Sequence, residues 1–213
     1  MDRLRRKLIV AAALAPVAFP LRAQNAAAAS YTTLRGALPI ENPGKIEIAE
    51  FFWYGCIHCY NLEPLLEAWV PKLPADSYFR RIPAVFNERW AHDAAIYYAF
   101  EALGLLDKLH RPFFDAIHKD RLKTDNPAAL GEWLTKHGLD PQKLETTMKS
   151  FGVQSKTKRA AQITAGAQID GTPALMVQGR YTISTEQGRS REGMLAIADQ
   201  LIPAVRKMLA GAK

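Results

Sequence analysis

The chain is predicted to fold as an α/β protein with an all-helical module inserted into its middle. Three observations predict this. Strand and helix patterns run in the order strand, helix, strand, long helical block, strand, strand, helix. A helix between the first two strands makes them a parallel pair, because such a pair needs a crossover. The last two strands are joined by Gln178-Gly179-Arg180, a turn short enough for an antiparallel hairpin. Nothing repeats at a fixed period, so a solenoid is excluded.

The first segment reads as an export signal rather than as part of the fold. Arg3, Arg5, Arg6 and Lys7 precede the apolar run Leu8–Phe19, and small residues follow at Ala23 and Ala26–Ala29. The run is short and interrupted by Pro16, so an uncleaved membrane anchor is the weaker competing reading. Arg5-Arg6 matches a twin-arginine route only loosely. Cleavage is expected after Ala23 or within Ala26–Ala29. Residues 24–44 form an extended lead-in, in which Tyr31–Leu34 has strand character and Pro39, Asn42, Pro43 and Gly44 are turn residues.

Lys45–Tyr54 becomes almost wholly apolar, as expected of a central strand covered on both faces. From Ile57 to about Lys72, Leu62, Leu65, Leu66 and Trp69 recur at helical spacing, with Pro64 expected to kink the helix. Ser77–Val85 is the second strand. Five amphipathic segments follow between Glu88 and Gln168: Ala91–Leu106, Lys108–Lys119, Pro127–His137, Pro141–Phe151 and Ser155–Gln168. Asn126-Pro127 and Asp140-Pro141 supply caps with proline at the first helical position. Ala174–Gln178 and Tyr181–Ser184 make the hairpin, and Arg191–Leu209 the last helix.

Composition narrows the function classes. With 213 residues, 48% apolar and 23% charged, the chain is globular and not disordered. The net charge is +7, but Arg3, Arg5, Arg6, Lys7 and Arg22 against Asp2 place +4 of it in residues 1–23. The +3 that remains argues against nucleic-acid binding.

The chemistry concentrates in Glu50–Pro64, EFFWYGCIHCYNLEP, which holds the only two cysteines, Cys56 and Cys59. At this spacing the two sulfurs meet if Cys56 starts a helix and Cys59 lies one turn on. A thiol titrates near 8.5 and reacts as its thiolate. At a helix N-terminus Cys56 gains from unpaired N–H groups and the macrodipole. His58 adds a donor, and positive charge when protonated. Cys56 is therefore expected as nucleophile and Cys59, deeper and harder to ionise, as the resolving thiol. If Cys56 titrated near ~4, the reduced form would gain about 4 kcal/mol at pH 7, or about 90 mV, making the disulfide a stronger oxidant.

Alternatives to a redox dithiol are less well served. Zinc needs about four ligands, and the five histidines show no paired spacing. Haem attachment needs His directly after the second cysteine, where Tyr60 stands. A structural disulfide closing so short a loop would constrain the unfolded chain little. Alternation groups Glu50 with Ile46 and Ile48, where a carboxylate is costly to bury unless paired or protonated. Phe51, Phe52 and Trp53 read mostly as core, and Tyr54 or Tyr60 as partly exposed. His92, His110, His118 and His137 read as scattered surface or capping residues without a role.

EFFWYGCIHCY resembles the active site of the DsbA family, periplasmic thiol:disulfide oxidoreductases with a thioredoxin fold and a helical insertion. That family is itself a known case of a disulfide made oxidising by a stabilised thiolate. The resemblance extends to Tyr31–Leu34, to Leu73-Pro74 closing the first helix, to the inserted helices and to Gly171-Thr172-Pro173-Ala174, so it covers nearly all of the chain after the signal. It implies a thioredoxin-like domain of residues 24–87 and 169–213, with 88–168 as the inserted helical domain. It implies that Cys56 and Cys59 form the redox disulfide, that His58 stabilises the Cys56 thiolate, and that no other cofactor is needed. Thr172-Pro173 would be a cis peptide beside Cys56 and would pair with extended substrate. Glu50 would accept a proton from Cys59, with Glu63 and Arg81 in one charge cluster or as solvated surface charges. Substrates would be exported, unfolded proteins with free cysteines, and a DsbB-type quinone-linked membrane protein would reoxidise a monomer. Two departures, Ile57 and Thr172 where the best-known member has Pro and Val, bear on potential and partner choice. The rival readings are a disulfide isomerase or reductase of the same fold, and a redox-inactive chaperone with a structural disulfide.

Overall fold

A computed structural model describes residues 30–211; the segment expected to direct export lies outside them. Five strands form one mixed sheet in the order β1-β5-β4-β2-β3. They are β1 (Thr32–Thr33), β2 (Ile46–Phe52), β3 (Ser77–Pro83), β4 (Ala174–Val177) and β5 (Tyr181–Ser184). α1 (Ile57–Trp69), extended by a 3₁₀ turn at Val70–Lys72, joins β2 to β3, and that pair is parallel. β4 runs antiparallel to both β2 and β5. The β4–β5 turn puts Gln178 and Gly179 at φ of 54° and 61°, and the Arg180 N–H closes it on the Val177 carbonyl at 3.0 Å, inside a three-residue loop between Val177 and Tyr181. A glycine suits the second position also because an added Cβ would stand 2.3 Å from the Leu38 carbonyl oxygen. No helix among the described residues is long and apolar enough to cross a membrane.

Between β3 and β4 come α2 (Glu88–Ala102), α3 (Leu106–His118), α4 (Pro127–Lys136), α5 (Pro141–Met148) and α6 (Phe151–Gly166). Asn126 caps α4 and Asp140 caps α5 through their side-chain oxygens, each with proline behind it. The α5–α6 boundary differs from the sequence reading. Ser150 accepts from the Val153 N–H and starts α6 at Phe151, four residues earlier than apolar periodicity indicates. A short helix that periodicity did not show, α7 (Thr185–Gly188), is set by a reciprocal capping box between Ser184 and Gln187. α8 (Arg191–Ala210) closes the fold.

All seven residues of β2 are buried, which places it between two cores. Ile46 and Ile48 pack with Leu62 and Leu66 of α1 and with Leu201 and Ile202 of α8. Ala49 and Phe51 pack with Ile96, Phe100, Phe113 and Phe114 of the inserted helices. The end of β2, from which the cysteine turn leaves, is thus gripped from both sides of the sheet.

Candidate active site

The cysteine pair sits where β2 hands the chain to α1. Cys56 is the N-cap residue, with extended backbone, and its sulfur accepts from the Cys59 N–H at 3.3 Å. Its own N–H donates to the Trp53 carbonyl at 2.9 Å. The sheet brings the proline loop to the same place. β2 and β4 pair Phe51 with Ala174, so continuing the register sets Thr172 beside the turn. Thr172-Pro173 is cis, and the Cys56 thiol donates to the Thr172 carbonyl at 3.3 Å.

Both cysteines are in the dithiol form, Cys56 half-buried and Cys59 fully buried. Their environments drive them apart. The Cys59 thiol, as donor to the Cys56 sulfur, does most to hold the Cys56 thiol down at about 5, from an ordinary value of 9. Burial opposes this, and the Thr172 side chain and the Cys59 and His58 backbone groups reinforce it. His58 itself is exposed. Burial pushes Cys59 well up, and the neighbouring Cys56 adds to the rise. One member of the pair is therefore an anion at neutral pH and the other a protonated thiol.

Because Cys56 titrates below its unfolded value, it stabilises the reduced fold most above pH 9, and that contribution is lost as pH falls through about 5. The oxidised protein has no such group. The melting temperatures of the two redox forms are therefore expected to converge as the pH is lowered from 7 to 4.5, with the reduced form losing more. Thermal melts at matched pH check this; a constant gap between the two forms would contradict it.

Beneath the sulfurs lies a buried charge cluster. Glu50 of β2 is fully buried, and neither of its oxygens accepts a hydrogen bond among the described residues. Arg81, its register partner on β3, lies 3.4 Å from it but gives both arms of its guanidinium to Glu63 of α1, at 3.1 and 2.8 Å. One cation thus serves two buried carboxylates. Burial, the Glu63 charge and the Cys56 charge hold the Glu50 carboxyl well above the usual range, against the pull of Arg81. Burial also acts on Glu63, but His110 and Arg81 more than offset it and keep Glu63 ionised. Of the two, Glu50 is the carboxyl driven toward its protonated form.

Three expectations about side chains are corrected here. His110, on α3, is not a surface residue. It is buried, its Nδ1 lies 2.9 Å from the Tyr54 hydroxyl and its Nε2 3.4 Å from Glu63. Burial is the main cause that lowers its pKa; an ionised Glu63 can only accept, so Nε2 is the donor to it and Nδ1 pairs with the Tyr54 hydroxyl. His118 is likewise placed at the turn, its Nε2 2.8 Å from the Tyr54 carbonyl and its ring stacked on Tyr60. Tyr54 is buried, not partly exposed, because its ring packs against Phe113 and Phe114 of α3. Tyr60 is half-buried, with its hydroxyl donating to Asp115. A helical face with a polar residue on its apolar side was the available signal for His110: it lies one helical turn from both Phe113 and Phe114.

Comparison with known proteins agrees with this arrangement. A family model described as a DSBA-like thioredoxin domain matches residues 77–196, more than half of the chain. The thiol:disulfide interchange protein DsbA of Azotobacter vinelandii is 40% identical over 176 residues, covering 83% of this chain and 82% of that protein. DsbA of Bordetella parapertussis is 39% identical over 203 residues, covering 94% and 97%. The crystal structure of Pseudomonas aeruginosa DsbA superposes with a TM-score of 0.80 at 34% identity, covering 87% of this chain and 95% of that one. For the oxidoreductase DsbA of Xylella fastidiosa the TM-score is 0.76 at 30% identity, with 83% and 95% covered. A thiolate-forming dithiol at the start of the first long helix, on this sheet and with these relatives, means that the chain belongs to the DsbA family of thiol:disulfide oxidoreductases.

Proposed function

We propose that the protein oxidises newly exported, unfolded proteins in the periplasm, donating to them a disulfide formed between Cys56 and Cys59. The observation that carries this reading is the Cys56 sulfur at the start of α1, accepting from the Cys59 N–H at 3.3 Å, where its thiol is held down to about 5. At pH 7 the reduced form then gains up to about two decades, or about 60 mV toward a stronger oxidant. Solvent screening at the half-open sulfur makes this an upper bound. In the reaction, a substrate thiolate attacks the Cys56 sulfur and the Cys56–Cys59 bond breaks. Cys59 leaves as a thiolate and takes a proton from Glu50, which regains one from solvent. A second substrate thiolate then attacks the substrate sulfur of the mixed disulfide, forming the substrate disulfide and releasing Cys56 as its stabilised anion. Reoxidation reverses the relay, Glu50 releasing its proton to solvent and accepting the one from Cys59, and a DsbB-type quinone-linked membrane protein is the oxidant.

In this reading Thr172 and Pro173 hold extended substrate beside Cys56, and the His58 backbone N–H helps to hold the anion. Arg81 and Glu63 set the charge state of Glu50. Residues 88–168 act as an inserted domain on a thioredoxin-like domain of 24–87 and 169–213. The test is to add oxidised protein to a reduced, unfolded substrate with two disulfides to form. Stoichiometric loss of substrate thiols is expected. Rearrangement of scrambled disulfides without any net oxidation would favour an isomerase instead.

A further inference from the structure

The turn that carries Cys56 is held from outside by a buried carboxylate that no step of the disulfide exchange uses. Asp93 of α2 is buried. Its Oδ2 accepts from the Trp53 indole N–H at 2.7 Å, and its Oδ1 from the Thr124 hydroxyl at 2.5 Å. Arg89, one turn earlier, lies 3.7 Å from Oδ2. A carboxylate out of water is tolerated only with such charge-assisted donors. Trp53 is the point of action. One face of its ring stacks on Trp90, with centroids 4.4 Å apart and planes at 14°. The ring also presses on Gly55 so closely that a Cβ there would stand 2.4 Å from Trp53 Cζ2. The Trp53 carbonyl accepts the Cys56 N–H at 2.9 Å.

We propose that Asp93 is a positioning residue for the redox turn: its carboxylate fixes the Trp53 indole against Gly55 and, through the Trp53 carbonyl, sets the direction of the Cys56 sulfur. The sulfur reaches the Cys59 N–H at 3.3 Å only while the turn keeps this shape. Thr124, also buried, extends the hold to the segment before α4, where its carbonyl meets His92 Nε2 at 3.0 Å. The first helix of the insert thus acts on the chemistry without touching a reacting atom.

The proposal rests on Cys56 being the ionised member of the pair, and the experiment separates the two. The Cys56 thiolate is titrated by its ultraviolet absorbance in the reduced full-length protein. A wild type that titrates at the ordinary thiol value overturns the reading of Cys56. Given a low wild-type value, Asp93→Ala is expected to raise it by about one unit, a tenfold smaller thiolate fraction at acidic pH. Asp93→Asn keeps an acceptor for Trp53 and is expected to leave the titration at the wild-type value. Trp53→Phe keeps the stack on Trp90 but removes the N–H, and is expected to raise the value as Asp93→Ala does, which decides the matter should the alanine variant not fold. An unmoved titration in folded Asp93→Ala or in Trp53→Phe overturns the proposal. So does an equal rise in Asp93→Asn. A fall in both Asp93 variants also overturns it, because Asp93 would then act only as a negative charge near the sulfur.

Discussion

Cys56→Ser is expected to reduce disulfide transfer to background, a loss of at least about 10³-fold, the scale on which removing a nucleophile acts. The reason is chemical rather than structural. A serine hydroxyl accepts the Cys59 N–H as a sulfur does, so the start of α1 stays capped. No disulfide can form, however, and Cys59 is too deeply buried to replace the nucleophile. Far-ultraviolet circular dichroism should be unchanged while substrate thiols persist. Cys59→Ser should behave differently. Its Cys56 thiolate still attacks disulfides already present in a substrate, releasing a substrate thiolate, but no internal thiol then displaces the bound substrate, and mixed disulfides accumulate. Because the Cys59 thiol, as donor, is the leading cause of the low Cys56 value, Cys59→Ala, which leaves no donor there, should titrate Cys56 higher. Retained turnover in Cys56→Ser would place the chemistry elsewhere in the molecule.

Arg81→Met is expected to cost about 3–5 kcal/mol of stability at pH 7, the usual penalty for removing one partner from a buried ion pair. For a protein of this length that is a fall of roughly 10 °C in melting temperature. Arg81 is the one guanidinium on two buried carboxylates, and Glu63 receives both of its arms. The pH dependence gives the sign. Glu63 titrates below its ordinary 4.5 in the fold, so its contribution is present above that value and is lost as pH falls through the folded one. The cost of Arg81→Met should therefore be smaller well below pH 4.5, at about pH 3, than at pH 7. Adding Glu63→Gln should recover part of it, since an amide is far cheaper to bury than an unpaired carboxylate. Chemical denaturation at the two pH values measures both effects. A loss under about 1 kcal/mol, or the same loss at both pH values, would mean that solvent already serves these carboxylates.

Much of the fold was written in short stretches of sequence. A cap acts over three residues, as at Asn126 and Asp140, and a strand or helix period over about ten, so β2, α1 and most of the inserted helices stand where periodicity places them. Where two local signals competed, periodicity misled: the apolar residues between α5 and α6 run on, and only the Ser150 cap marks the break. The site divides in the same way. Cys56, His58 and Cys59 are neighbours in the chain, and the helix start that ionises one sulfur needs no distant residue.

The polar contacts around that turn are another matter. Tyr54 meets His110 across 56 positions, Trp53 meets Asp93 across 40, and the Cys56 thiol meets Thr172 across 116. A histidine or aspartate on an amphipathic helix reads the same whether it faces water or a buried tyrosine. The difference is made when α2 and α3 pack on the end of β2, and desolvation then obliges each polar group to find a partner. Residues near one another in the chain therefore determined that there is a reactive dithiol. The docking of the inserted helices decided which side chains hold it, because burial, which only the packed molecule supplies, gives those contacts their strength.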